Sequence, residues 1–118
     1  MTSTPDRERL KQLLELADLH ERKQSAEFNL KSQEEMRLAA KLALTQSRPS
    51  PNREVYDTYA ASGAATLWTE WRRQESRKLA ILSARARLAS EAARKAFAKA
   101  SARRRVIEKL SVEDPRGD

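Results

Sequence analysis

The sequence has no cysteine and a single histidine, His20. A disulfide framework and a thiolate metal site are thereby excluded, and no second imidazole is present to share a metal with His20. Glycine occurs twice, at Gly63 and Gly117, each isolated, so no glycine-rich loop exists to cradle a phosphate. Aromatic residues number six in 118. No apolar run approaches the roughly 20 residues needed to cross a bilayer, and Met1 to Arg9 lacks the apolar core of a secretory signal. The expectation is a cytoplasmic protein, with no membrane insertion, no metal and no cofactor.

What is abundant is alanine, leucine and charge. The chain is 39% hydrophobic and 35% charged, a balance that favours one domain of long helices over a rounded globule. Between 79 and 110, ten residues fall on a seven-residue repeat: Leu79, Leu82, Ala86, Ala89, Ala93, Ala96, Ala100, Arg103, Ile107 and Leu110. Alternating steps of three and four place them on one helix face, and a sustained 3.5-residue period implies supercoiling against another helix. The stripe is mostly alanine, so the partner helix can approach closely.

An earlier helix has its own start and stop signals. Ser3 or Thr4 can cap it, Pro5 suits the first turn, and Asp6 and Glu8 complement the positive end of the helix dipole. Leu10, Leu13, Leu14 and Ala17 form an apolar patch, with Leu16 and Leu19 on a broader arc. His20 to Gln24 weakens the stripe, and Phe28, Leu38 and Leu42 restore it, with Met36 and Ala39 beside them. Pro49 and Pro51 end the helix near Gln46 or Ser47.

The predicted organisation is an N-terminal extension over 1–5 and one helical-hairpin domain over 6–111, followed by a disordered tail over 112–118. Within the domain, a helix spans 6–46, a proline-rich connector 47–53, and a second helix 54–111. Ser62-Gly63 leaves open a break near 63, since glycine costs about 1 kcal/mol relative to alanine inside a helix. Two long helices on a proline-rich joint predict an all-α fold, an elongated antiparallel two-helix coiled-coil hairpin. The competing arrangement is a coiled coil between helices of separate copies.

Charge is distributed unevenly. Residues 1–46 carry eight basic and eight acidic side chains, whereas residues 72–109 carry thirteen Lys or Arg against Glu75, Glu91 and Glu108. The second helix therefore projects a positive field that attracts an anionic partner, whether acidic protein, nucleic acid or lipid headgroup.

Catalytic chemistry finds no support in the sequence. Glu34 and Glu35 are adjacent and point apart on a helix, so they cannot act as an acid/base dyad. His20, on a polar helix stretch, has no nucleophile placed beside it by any recognisable motif. The expectation is a protein that is not an enzyme.

Two groups of residues suit partner binding. Trp68 and Trp71 share a helix face with Tyr56 and Tyr59 a few turns earlier, and Arg72 follows. They either plug the hairpin near its turn or anchor a partner, as Trp, Tyr and Arg do at binding hot spots. Arg103, Arg104 and Arg105 cover three faces, the stripe assigning Arg103 to the seam. They either complement the negative helix end or dock on an acidic surface. Arg7, Arg9 and Lys11, at the other chain end, would share the open tip of a hairpin with them.

The run from Ala96 to Leu110, AFAKASARRRVIEKL, resembles the end of the FliJ/YscO family, small coiled-coil proteins of flagellar and type III secretion systems. The Trp68-Thr69-Glu70-Trp71 segment, the two-helix layout and the basic second helix are similar too. The resemblance implies a stalk and general chaperone of a protein-export apparatus, whose open end enters a hexameric export ATPase ring. It also implies contact with the export gate, and a cytoplasmic location, peripheral at the membrane through the apparatus. On this chain the ring-facing residues would be Arg7, Arg9, Lys11, Arg103, Arg104, Arg105 and Lys109. Tyr56, Tyr59, Trp68, Trp71 and Arg72 would face the gate or export chaperones. The rival reading is nucleic-acid binding through the basic helix. It is weakened by the acidic residues of the first helix and by the lack of aromatics interleaved with the basic run.

Overall fold

The computed structural model describes residues 4–47 and 63–112. Among them all regular structure is helical: α1 spans Thr4–Ser47 and α2 spans Gly63–Val112. The fold is an all-α antiparallel helical hairpin, in agreement with the periodicity. Neither proline nor glycine occurs over 6–47 or 64–112, so nothing in the backbone interrupts either ladder of helical hydrogen bonds.

The termini differ slightly from expectation. Thr4 is already helical, so it is not the cap, and Ser3 lies outside the described residues. Ser47, expected in the connector, closes α1, and Val112, expected in the tail, closes α2. The remaining connector residues, the expected helical start at 54 and the rest of the tail lie outside the described residues.

The chain divides into two units. Among the described residues, the first joins 4–31 of α1 to 89–112 of α2, and the second joins 32–47 to 63–88.

In the first unit the helix direction can be read from two cross-helix contacts. Phe28 stacks on Phe97 with ring centroids 6.2 Å apart, and Glu21 pairs with Arg104 at 2.9 Å. Seven residues back along α1 correspond to seven residues forward along α2, which is one antiparallel heptad. Between these contacts lies Ala100, only 1% exposed. In the second unit the buried apolar residues are Leu38 on α1 and Leu79 on α2, each 6% exposed.

The inward face of α2 differs in phase from the predicted stripe. Leu79, Ala86, Ala93, Ala100 and Ile107 are buried or half-buried, as expected. Their partners in the repeat are Ser83, Ser90, Phe97, Arg104 and Ser111, whereas Leu82, Ala89, Arg103 and Leu110 are exposed and Ala96 is half-buried beside Phe97. Arg103 is therefore not the seam arginine; Arg104 is. The shift of one position brings serines inward and turns leucines outward. Small side chains suit this seam because they let two backbones approach, and Ser90 is as deeply buried as Leu38.

The same holds on α1. Leu10, Leu14, Ala17, Glu21, Gln24 and Phe28 make a three/four-spaced row of half-buried residues. The polar stretch His20 to Gln24 thus supplies two seam residues rather than a gap. Of the expected apolar patch Leu10, Leu14 and Ala17 turn inward, whereas Leu13, Leu16 and Leu19 are exposed, as is Met36 further along. With so little apolar area hidden, hydrophobic burial at about 25 cal/mol per Å² contributes modestly, and specific layers matter more.

Candidate interaction site

The most structured polar cluster in the first unit is centred on Arg104. Its Nε lies 2.9 Å from Glu21 Oε1 and its Nη1 lies 2.6 Å from Glu108 Oε2. The Nε is buried and its N–H points off the Glu21 oxygen, so this contact is an ion pair rather than a linear hydrogen bond. Ser101 adds a second layer: it hydrogen-bonds the Glu21 carboxylate, and its Oγ accepts from Arg105 Nη2 at 3.3 Å.

These contacts shift the titrations in the expected directions. Ser101, as the largest influence, holds Glu21 below the usual carboxylate range; burial opposes it, and the nearby charges of Arg104 and Arg105 reinforce it. The paired Glu21 carboxylate raises Arg104 above its ordinary value, with a smaller contribution from Glu108. The cluster is built to keep both groups charged.

The basic triplet thus separates into distinct roles. Arg104 is held in the seam, Arg105 is exposed and leans on Ser101, and Arg103 and Lys109 are exposed. Arg7, Arg9 and Lys11 are exposed in the first turns of α1, interleaved with Asp6 and Glu8. The antiparallel register places Arg104 level with Glu21, which puts Arg9 about 18 Å further along the axis at 1.5 Å per residue. The first unit therefore holds both basic groups, spaced along its length rather than gathered at one point.

The aromatic group lies in the second unit. Trp68 and Trp71 stack with centroids 5.2 Å apart and planes at 22°. Trp68 is half-buried and Trp71 is 40% exposed, the more open of the two rings. Arg72 is half-buried on the inward face. Tyr56 and Tyr59 lie outside the described residues.

The first unit has shallow surface grooves. One of about 360 Å³ is bordered by Glu21, Ser25 and Phe97, and another of about 330 Å³ by Ala102, Arg103, Val106 and Ile107. Among the described residues no cluster of three or more His, Asp or Glu side chains could hold a metal, and no helix is long and apolar enough to cross a membrane. His20 is exposed, and Glu34 is occupied by a bidentate contact with Arg37 at 2.9 and 2.6 Å.

Sequence reasoning missed the Glu21–Arg104 and Phe28–Phe97 layers. The signal was available: Phe28 and Phe97 are the only phenylalanines. Each lies seven residues from a member of one oppositely charged pair.

Comparison with protein-family models, curated proteins and solved structures finds no match.

Proposed function

We propose that the chain is a non-enzymatic coiled-coil interaction protein, a stalk and general chaperone of a flagellar or type III protein-export apparatus. In this reading it works in the cytoplasm, engages the hexameric export ATPase ring through its basic residues, and meets the export gate through the aromatic segment. The observation that carries the reading is the state of the cations on α2. Lys95, Lys99 and Arg103 are exposed and have no carboxylate partner among the described residues. Rigid, unneutralised charge on a preformed helix pair suits capture of an acidic protein surface. The resemblance of Ala96 to Leu110 to the FliJ/YscO family names the apparatus.

The test is pull-down of the hexameric export ATPase by the intact chain and by the double variant R103E/R105E. Arg104 is left in place because it belongs to the seam. Loss of capture with helicity unchanged supports the reading; unchanged capture counts against it. Sequence-independent binding of duplex DNA at physiological ionic strength, falling steeply with salt, would favour the nucleic-acid alternative.

A further inference from the structure

In the second unit α2 carries a second, exposed heptad stripe. Leu67, Trp71, Ile81 and Leu88 are apolar and exposed, Leu67 and Leu88 by 71% and 72%. Lys78 and Arg85 are exposed between them. With Gln74, which hydrogen-bonds Glu70 at 3.1 Å, these positions alternate in steps of four and three from 67 to 88. That is the spacing of a coiled-coil seam. The inward face of the same segment, with Arg72, Leu79, Ser83 and Ala86 half-buried or buried, is a separate row.

We infer that this outward stripe docks an acidic amphipathic helix of another protein. The hairpin's own seam supplies the precedent. There Arg104 sits among small and apolar residues, and Glu21 of the facing helix covers it. In the outward stripe Lys78 and Arg85 occupy the same kind of position, one heptad apart, and neither has a carboxylate partner among the described residues. The occupant therefore carries apolar residues against Leu67, Trp71, Ile81 and Leu88, with Asp or Glu at a seven-residue interval against the two cations.

Other occupants fit less well. A helix lying on a membrane keeps its cations on the polar face, whereas here they interrupt the apolar row. Nucleic acid would use the cations and leave Leu67, Ile81 and Leu88 without a role. A second copy brings a net charge of +7, and the exposed heptad row of its α1, Leu16, Lys23, Leu30, Arg37 and Leu44, places cations where carboxylates are needed. The inference rests on reading the chain as a protein-interaction module and specifies the chemistry of one partner.

The test uses the full chain and a synthetic peptide of about three heptads, with leucine at its core positions and glutamate facing 78 and 85. Trp68 and Trp71 are the only tryptophans, and Trp71 lies on the stripe, so a change in emission reports its covering. The expected result is saturable binding with a blue shift, and a loss of affinity of roughly tenfold or more in K78E/R85E or with glutamine in place of the peptide glutamates. Circular dichroism of K78E/R85E should match the parent. Binding indifferent to K78E/R85E overturns the inference. So do binding only to phosphatidylglycerol vesicles or duplex DNA, self-association that excludes the peptide, and no binding at all. Capture of the export ATPase in the absence of peptide binding would overturn this inference alone and leave the proposed function standing.

Discussion

Glu21 on α1 and Arg104 on α2 meet across the helix pair, with Arg104 Nε 2.9 Å from Glu21 Oε1. One heptad away the Phe28 and Phe97 rings stack. Between two helices lined by alanine and serine, neighbouring registers offer similar packing, so small residues alone specify alignment poorly. A charged layer changes that, because a slipped register would leave Glu21 or Arg104 facing apolar side chains without its partner. The charged and aromatic layers together define which turn of α1 lies against which turn of α2.

The charged layer should make stability depend on acidity in a particular window. Glu21 titrates below its ordinary value of 4.5 in the folded chain. Its contribution is therefore fully present above that value and is lost as pH falls through the lower folded value. Arg104 remains protonated throughout. Thermal melts of the parent and E21Q should differ at neutral pH, and the gap should close in the acid range below 4.5. A gap of constant size across that range would mean that Glu21 contributes by packing rather than charge.

Removing either partner should cost more than removing both. In E21L the guanidinium keeps Glu108, at 2.6 Å, but loses its cross-helix carboxylate. In R104L the half-buried Glu21 loses its main counter-charge. The double variant E21L/R104L leaves neither charge unpaired across the seam, and replacing both members of such a pair by apolar residues is commonly neutral or favourable. Its melting temperature should recover most of what the worse single variant loses, while the uniqueness of the register declines. Strictly additive losses would argue that the two residues act independently.

How much of this was legible beforehand depends on the residue. The two long helices among the described residues and their antiparallel pairing follow from periodicity. The phase of the α2 seam did not follow. At three of the five repeats the sequence offers an apolar residue beside a serine, Leu82-Ser83, Ala89-Ser90 and Leu110-Ser111, and hydrophobicity favours the first. Where leucine and serine compete the narrow seam takes the smaller serine, whereas Phe97 and Arg104 enter it at the layers that face Phe28 and Glu21. Ser90 is 6% exposed and Ala89 is exposed. Enlarging Ser90 to leucine should therefore destabilise by about 1–3 kcal/mol through overpacking, whereas Ala89→Leu should stay within about 0.5 kcal/mol of the parent. Chemical denaturation of the two variants reads the seam directly, and the reverse order would restore the phase predicted from hydrophobicity.

Leucines in this chain fall into two classes that composition does not separate. Leu38 and Leu79 are buried in the second unit, while Leu30 and Leu44 are exposed on α1. Truncating Leu38 or Leu79 to alanine should cost about 2–4 kcal/mol, a large share of the stability available to a chain with so little buried area. Leu44→Ala should shift stability by less than about 0.5 kcal/mol. Urea unfolding distinguishes the classes, and equal losses at Leu38 and Leu44 would mean that the exposed leucine is covered in solution, as by association.

The aromatic layer can be separated from the burial of its rings by a double-mutant cycle. Phe28 and Phe97 stack at 6.2 Å and 26°, an offset arrangement that aromatic pairs favour. F28A and F97A should each lower stability through lost apolar contact, and the double variant should be less damaging than their sum by about 0.5–1.5 kcal/mol. Because this pair and Glu21–Arg104 mark one register, F28A should also increase the sensitivity of the chain to loss of the charged pair. A coupling near zero between the phenylalanines would show that the rings do not meet in solution, and would place α1 and α2 in a different alignment in the first unit.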